Sequence, residues 1–125
     1  LRTTLDLPPD QYRTDPRLME IGFGAWEGST WAEIRRWDPS GAAARDRDRW
    51  NYRPKGQGAE SYAMLAERVG SMLAEFEGPA VIVAHGGVAR ALLVVLGHLD
   101  IYAAPRMGIR QGQILVVEPG GWRWA

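Results

Sequence analysis

AVIVAHGGVARAL, residues 80–92, carries the pattern on which the fold of this sequence turns. Residues 80–84 are short, β-branched and without polar alternation, which predicts a strand buried on both faces of a parallel sheet. His85 follows directly, and Gly86 and Gly87 lead into a helix predicted from Val88 to about Leu99, apolar on nearly every side. Open α/β sheets bind their ligands at the carboxyl ends of the strands, and His85 stands at such an end. The N–H groups of Gly86, Gly87 and Val88, together with the positive end of the helix dipole, favour a phosphate there. A cationic His85 would add a charge-assisted donor. No GK[ST] follows, so this is not a Walker loop.

Working outward, residues 60–77 place Tyr62, Leu65, Ala66, Val69, Met72, Leu73 and Phe76 at helical spacing, and Gly78-Pro79 ends the pattern. Further upstream, Ser29 or Thr30 is a good N-cap and Glu33 stands at the capping-box spacing from Thr30, so a short helix is expected to run to about Trp37, ended by Pro39, with Trp31, Ile34 and Trp37 on its inner face. Residues 18–28, LMEIGFGAWEG, hold three glycines and read as a loop. Residues 1–17, with Pro8, Pro9 and Pro16, form an irregular lead-in, and residues 40–58 show no persistent period. The RDRDR run at residues 45–49 reads as a solvated face. At the other end, residues 113–118 form a strand that Gly120-Gly121 turns into a short hairpin with Trp122 and Trp124, which fold back on the helices or form an edge for a second subunit.

The chain has 125 residues, 15 basic and 15 acidic side chains, 46% hydrophobic residues and no Cys. That composition suits one domain with a core, excludes a disulfide framework or thiolate metal site, and disfavours polybasic binding to nucleic acid or membrane surfaces. The longest apolar run, residues 91–96, is far short of the about 20 residues a membrane helix needs. Without a secretory signal, a cytoplasmic location is expected. Two strands and a stub are too few, since sheets usually hold about 4 to 6. A further strand-helix-strand-helix segment is therefore expected upstream of Leu1.

Other side chains offer chemistry. Glu20 and Glu27 flank the glycine-rich loop beside Phe23 and Trp26, and apolar surroundings favour a carboxyl that donates its proton to a leaving group. Only one of the two need serve, and Glu27, nearer the next helix, is assigned a capping role. Glu60 and Ser61 read as a first-turn acid and a capping hydroxyl. His98, near a helix C-terminus, reads as structural, complementing the dipole. No His paired with His, Asp or Glu stands at metal-ligand spacing, and no metal site is expected.

Taken in order, LMEIGFGAWEG at residues 18–28, GAES at 58–61 and VIVAHGGVARAL at 81–92 resemble the histidine phosphatase superfamily, the phosphoglycerate mutase-like proteins. The resemblance implies a three-layer αβα sandwich around a mainly parallel sheet, with residues 1–125 as the C-terminal portion of one such domain. It also implies phosphoryl transfer through a phosphohistidine, without cofactor. On that basis Glu20 looks like the general acid, His85 like the histidine that stabilises the transferring phosphoryl group, and Gly86 and Gly87 like phosphate-binding positions. The family's Arg-His-Gly motif, which holds the nucleophile, has no match here, nor has its second phosphate-binding arginine; both are expected upstream of Leu1. The family's Gly-Glu-Ser is Ala59-Glu60-Ser61 in this chain, and its common Asn before the last strand is replaced near Gln111.

The expected function is hydrolysis of a phosphomonoester of a small phosphorylated metabolite. Phosphoglycerate mutase activity is an alternative, disfavoured by the modest residues 40–58. A non-catalytic relative binding phosphate esters or a partner is another. The 125-residue polypeptide alone is expected to be inactive, because it lacks the phosphoryl acceptor.

Overall fold

The computed structural model describes Thr4, Asp6, Pro8 and residues 10–125. The remaining positions of the expected lead-in lie outside the described residues. Within the described part, Asp15 caps a 3-10 turn at Pro16–Leu18 by accepting from the Arg17 N–H.

Four helices follow: α1 at Trp31–Trp37, α2 at Pro39–Arg47, α3 at Tyr62–Leu73 and α4 at Gly86–Val95. Helix α1 begins with the expected capping box, Thr30 accepting from the Glu33 N–H while Glu33 accepts from Thr30. Its inner face is narrower than expected, however. Ile34 is buried, whereas Trp37 is half exposed and Trp31 lies on the flank, because so short a helix presents about one side chain per turn to its neighbour. Helix α2 occupies part of the region without apolar period. Asp38 caps it by accepting from the Gly41 N–H at 3.0 Å, and Pro39 takes its first position. The buried indole of Trp26 donates to the same Asp38 carboxylate at 2.9 Å and stacks on Tyr52, so a loop, a cap and a ring form one small core around Ile34 and Ala42.

The larger core lies between α3 and α4. Leu65 and Val69 of α3 meet Val88 and Ala91 of α4, with Ile21, Trp50 and Ala104 closing the cluster. Leu65 and Val69 are fully buried, and truncating a side chain such as Leu65 to alanine costs about 2–5 kcal/mol through lost burial and the cavity left behind. Helix α3 starts as expected, with Ser61 accepting from the Met64 N–H at 3.2 Å. It ends four residues earlier than the period suggests. The N–H groups of Glu75 and Phe76 bond back only three residues, to Met72 and Leu73, so the last turn tightens and Phe76 leaves the apolar face, 42% exposed. Helix α4 starts earlier than expected, at Gly86, and stops at Val95 in a Schellman arrangement. The His98 N–H donates to Leu93 and the Gly97 N–H to Val94, with Gly97 at φ +76°. His98 thus serves the helix end through its backbone.

Residues 80–84 depart most from expectation. They form no strand and make no backbone hydrogen bond among the described residues, with Val81 93% and Val83 67% exposed. A strand needs a neighbour for its N–H and C=O groups, and the described residues place none beside it. The sheet they do contain is a two-stranded antiparallel hairpin, β1 at Leu115–Glu118 and β2 at Gly121–Trp124, with Leu115 opposite Trp124 and Glu118 opposite Gly121. Its turn is Pro119-Gly120, one residue earlier than expected, and Trp122 and Trp124 are half-buried. The expected parallel sheet between two helical layers is not formed by the described residues. Among them no helix is long and apolar enough to cross a membrane.

Candidate active site

Glu20 and the start of α4 are brought together by the absence of a side chain at Gly87. The Gly87 N–H donates to Glu20 Oε2 at 3.2 Å, and the Ile21 N–H to Oε1 at 2.9 Å. A β-carbon on Gly87 would overlap Glu20 Oε1 and lie 3.2 Å from Ile21 Cγ2, so only glycine admits the carboxylate here. The arrangement places an acid at the positive end of a helix dipole. It also occupies one of the N–H groups that the sequence leaves open for phosphate, whereas the Gly86 N–H has no partner among the described residues.

The loop that presents Glu20 is held by a clamp. Arg68 of α3 donates through Nε and Nη2 to the two oxygens of Glu60, each at 2.8 Å. It also donates to the carbonyls of Arg17 at 2.6 Å and of Glu20 at 3.3 Å. Glu60 in turn accepts from the Gly22 N–H at 3.1 Å, while the Glu60 N–H donates to the Gly22 carbonyl at 2.8 Å. The guanidinium beside it holds the Glu60 carboxyl below its ordinary pKa, against the opposing effect of burial. A bidentate pair fixes direction as well as distance, so four donors from one arginine set the backbone on both sides of Glu20. Glu60 is thus a bridge between loop and helix rather than a first-turn acid of α3. The i, i+8 spacing of Glu60 and Arg68 falls outside the helical pairs that sequence spacing reveals, and this role went unseen for that reason.

Glu27 is structural in a different way from the cap expected of it. It accepts from the Phe23 N–H at 2.6 Å and closes the turn of its own loop, leaving the cap of α1 to Thr30. His85 is the N-cap residue of α4, with extended backbone and an exposed side chain that makes no hydrogen bond among the described residues. Gly86 packs against Ile109 and lies near Arg90.

Glu20 opens onto a cleft of about 660 Å³ between the glycine-rich loop, α1, α2 and α4. Five arginines line it, Arg35, Arg45, Arg49, Arg90 and Arg106, against two glutamates, Glu20 and Glu27; His85 lies outside the lining. Arg90 is held by the Met107 carbonyl at 2.9 Å and lies 3.4 Å from the Tyr62 hydroxyl. Arg45 and Arg49 correct the reading of residues 45–49 as a wholly solvated face. Asp46, Arg47 and Asp48 are exposed, but Arg45 of α2 and Arg49, in the turn just beyond the helix end, line the cleft. The Asp38-Pro39 pair, a cap followed by proline at the first helical position, is the sequence signal that reveals this helix. Among the described residues no cluster of three or more His, Asp or Glu side chains offers a metal site.

Comparison with known proteins places these features in context. The profile of the histidine phosphatase superfamily (branch 1) matches residues 2–125. Bovine 6-phosphofructo-2-kinase/fructose-2,6-bisphosphatase 1 is 37% identical over 92 residues, covering 71% of this chain and 18% of that protein. Glucosyl-3-phosphoglycerate phosphatase of Mycobacterium tuberculosis is 33% identical over 109 residues, covering 77% of this chain and 48% of that protein. Among solved structures, a mycobacterial glucosyl-3-phosphoglycerate phosphatase in complex with VO3 superimposes with a TM-score of 0.65 at 30% identity, covering 90% of this chain and 62% of the other. YhfR of Bacillus stearothermophilus gives a TM-score of 0.62 at 28% identity, covering 90% and 58%. The chain spans less than two thirds of each of these relatives. With a profile match across almost all of its 125 residues, the chain belongs to the histidine phosphatase superfamily, branch 1.

Proposed function

We propose that this chain supplies the acid side of a phosphomonoesterase site that hydrolyses a small phosphorylated metabolite through a phosphohistidine. One observation carries the reading: Glu20, from the first family motif, accepts a hydrogen bond from Gly87 in the third, so the carboxyl group read as the acid stands at the anion-binding end of α4. The nucleophile is placed outside these residues, since no Arg-His-Gly occurs among them and His98 lies beyond the far end of α4. In the first step a histidine nitrogen attacks phosphorus, the P–O ester bond breaks, and the Glu20 carboxylic acid protonates the departing alkoxide. Water then attacks the phosphohistidine and Glu20 takes its proton, regenerating both groups. His85 and the N–H groups of Gly86 and Gly87 stabilise the charge on the transferring phosphoryl oxygens, with Glu20 releasing the Gly87 N–H as the phosphate arrives. The relatives named above as phosphatases favour hydrolysis over mutase chemistry, and VO3, bound by one of them, is a phosphoryl analogue.

Residues 1–125 belong, in this reading, to one αβα sandwich in which residues 80–84 become a central strand once parallel neighbours flank them. That pairing directs His85 toward the phosphoryl group. The test is hydrolysis of p-nitrophenyl phosphate. The 125-residue polypeptide is expected to show none, and a longer form bearing the Arg-His-Gly segment is expected to be active and, on Glu20→Gln, to lose about 10²–10⁴-fold in kcat on an alkyl phosphate, whose leaving group needs the proton, and much less on p-nitrophenyl phosphate. Hydrolysis by the 125-residue chain that His85→Ala abolishes would overturn the placement of the nucleophile.

A further inference from the structure

We infer that Glu60 and Arg68 are positioning residues for the acid: they act on the reaction through Glu20, keeping its carboxyl aimed at the start of α4 once an anion has taken the Gly87 N–H. The inference rests on the phosphatase reading for the part played by Glu20, and on separate residues for what holds it.

Among the described residues the Glu20 carboxylate accepts from two N–H groups, those of Ile21 and Gly87. A phosphate at the start of α4 competes for the second. The Ile21 bond, made to the next residue along the chain, turns with the loop and does not fix it. The direction of the acid is then set by whatever holds the backbone around it, and two things do. The first is contact between main chains. The Ala25 N–H donates to the Lys55 carbonyl and the Glu60 N–H to the Gly22 carbonyl, each at 2.8 Å. A β-carbon on Gly22 would overlap the Gly58 carbonyl, and one on Gly24 the Lys55 carbonyl, so the two loops meet with no side chain between them. The second is the Arg68 guanidinium, whose donors go to Glu60 and to the carbonyls of Arg17 and Glu20. Arg17 is itself tied to α3 through Glu75, at 2.6 Å.

Neither Glu60 nor Arg68 lines the cleft, so any effect of theirs on the reaction passes through a residue that does. Their side chains are each 20% exposed. At such burial the loss of hydration offsets much of the attraction between the charges, and a well-packed apolar pair would support the fold about as well. What a bidentate bridge adds over an apolar pair is direction. One of the carbonyls it directs belongs to Glu20 itself, and the N–H that Glu60 accepts, from Gly22, lies two residues on.

The experiment takes the longer form bearing the Arg-His-Gly segment and measures the ratio of kcat on an alkyl phosphate, whose leaving group needs a proton, to kcat on p-nitrophenyl phosphate, whose leaving group departs without one. Lysine keeps the charge beside Glu60 but has no planar fork to reach two carbonyls as well. Arg68→Lys is therefore expected to lower the ratio by about 10²-fold, the effect of a misplacement of about 1 Å. In the Glu20→Gln background the same substitution is expected to lower it no further, because residues that act as a unit are not additive. Glu60→Gln, which retains an acceptor for the Gly22 N–H, is expected to show the same pattern more weakly, and it carries the test if circular dichroism shows Arg68→Lys unfolded. A ratio that Glu20→Gln lowers and Arg68→Lys does not overturns the inference and leaves the acid reading intact. Equal lowering by Arg68→Lys with and without Glu20→Gln also overturns it, since the arginine then acts by another route. A ratio unmoved by Glu20→Gln overturns the acid reading, and the inference with it. Amide exchange in the 125-residue chain is the independent check: Arg68→Lys is expected to reduce protection at Ile21 and Gly87 while the interior of α4 keeps its own, and unchanged protection at both overturns the inference.

Discussion

Two segments of the chain lead toward the same site, and they are built in opposite ways. Residues 18–28, which present Glu20, are pinned through backbone and side chain to residues 55–60 and to α3. Residues 80–84, which lead to His85, make no backbone hydrogen bond among the described residues and expose their valines. A loop can be fixed by a few well-placed side chains, because each of its polar groups finds a partner locally. A strand has no such local remedy, since its partners come from distant segments. Glu20 is therefore held by contacts within the described residues, while in the reading proposed above the placing of His85 waits on sheet neighbours.

That contrast can be broken most sharply at the clamp. Arg68→Met removes four hydrogen bonds and leaves Glu60 part-buried without its cation, so a loss of about 2–3 kcal/mol is expected in urea unfolding, with Glu20 loosened as well. Gly87→Ala comes next. Its methyl group displaces the Glu20 carboxylate at an expected cost of about 1–2 kcal/mol, and weaker binding of alkyl phosphonates would show that the acid and the helix end act as one unit. A smaller effect is expected from acid. Asp15 and Glu75 are each held at about 2 by hydrogen bonds and charge from Arg17 and Arg13, against ordinary values of 3.8 and 4.5. Their folded pKa values lie below their unfolded ones, so their stabilisation is complete above about pH 4.5 and lost as the pH falls toward 2; a melting temperature that declines across that window checks it. The smallest effect belongs to the open segment: Val81→Ser should change the stability of the 125-residue chain by less than about 0.5 kcal/mol, as for any exposed position, and a larger loss would show the segment to be packed in solution.

What the sequence showed of this molecule follows the same division. Local signals were legible: the capping box at Thr30 and Glu33 and the cap at Ser61 appear where spacing put them, since each is settled within four residues. The apolar period of α3 located the core, although Phe76 left it when the final turn tightened. Helix α2 was missed because its Ala, Arg and Asp residues form no apolar stripe; Asp38 and Pro39 alone mark its start. At the site, Glu20 and Gly87 were named from their motifs, but their contact depends on a missing β-carbon that spacing does not express. The Glu60–Arg68 bridge and the inward turn of Arg45 and Arg49 are tertiary facts, and Arg-rich runs look solvated until the indole beneath them is seen.

The valines of residues 80–84 also bear on how the polypeptide behaves in a tube. A β-branched run without charge, with its main-chain donors and acceptors open, is a template on which an identical run from another molecule can add as a strand. Pro79 interrupts that template at one end and His85 at the other, so the exposed stretch is confined to five residues. Self-association of the 125-residue chain through this short edge is therefore expected to rise with protein concentration even where the folded core stays intact.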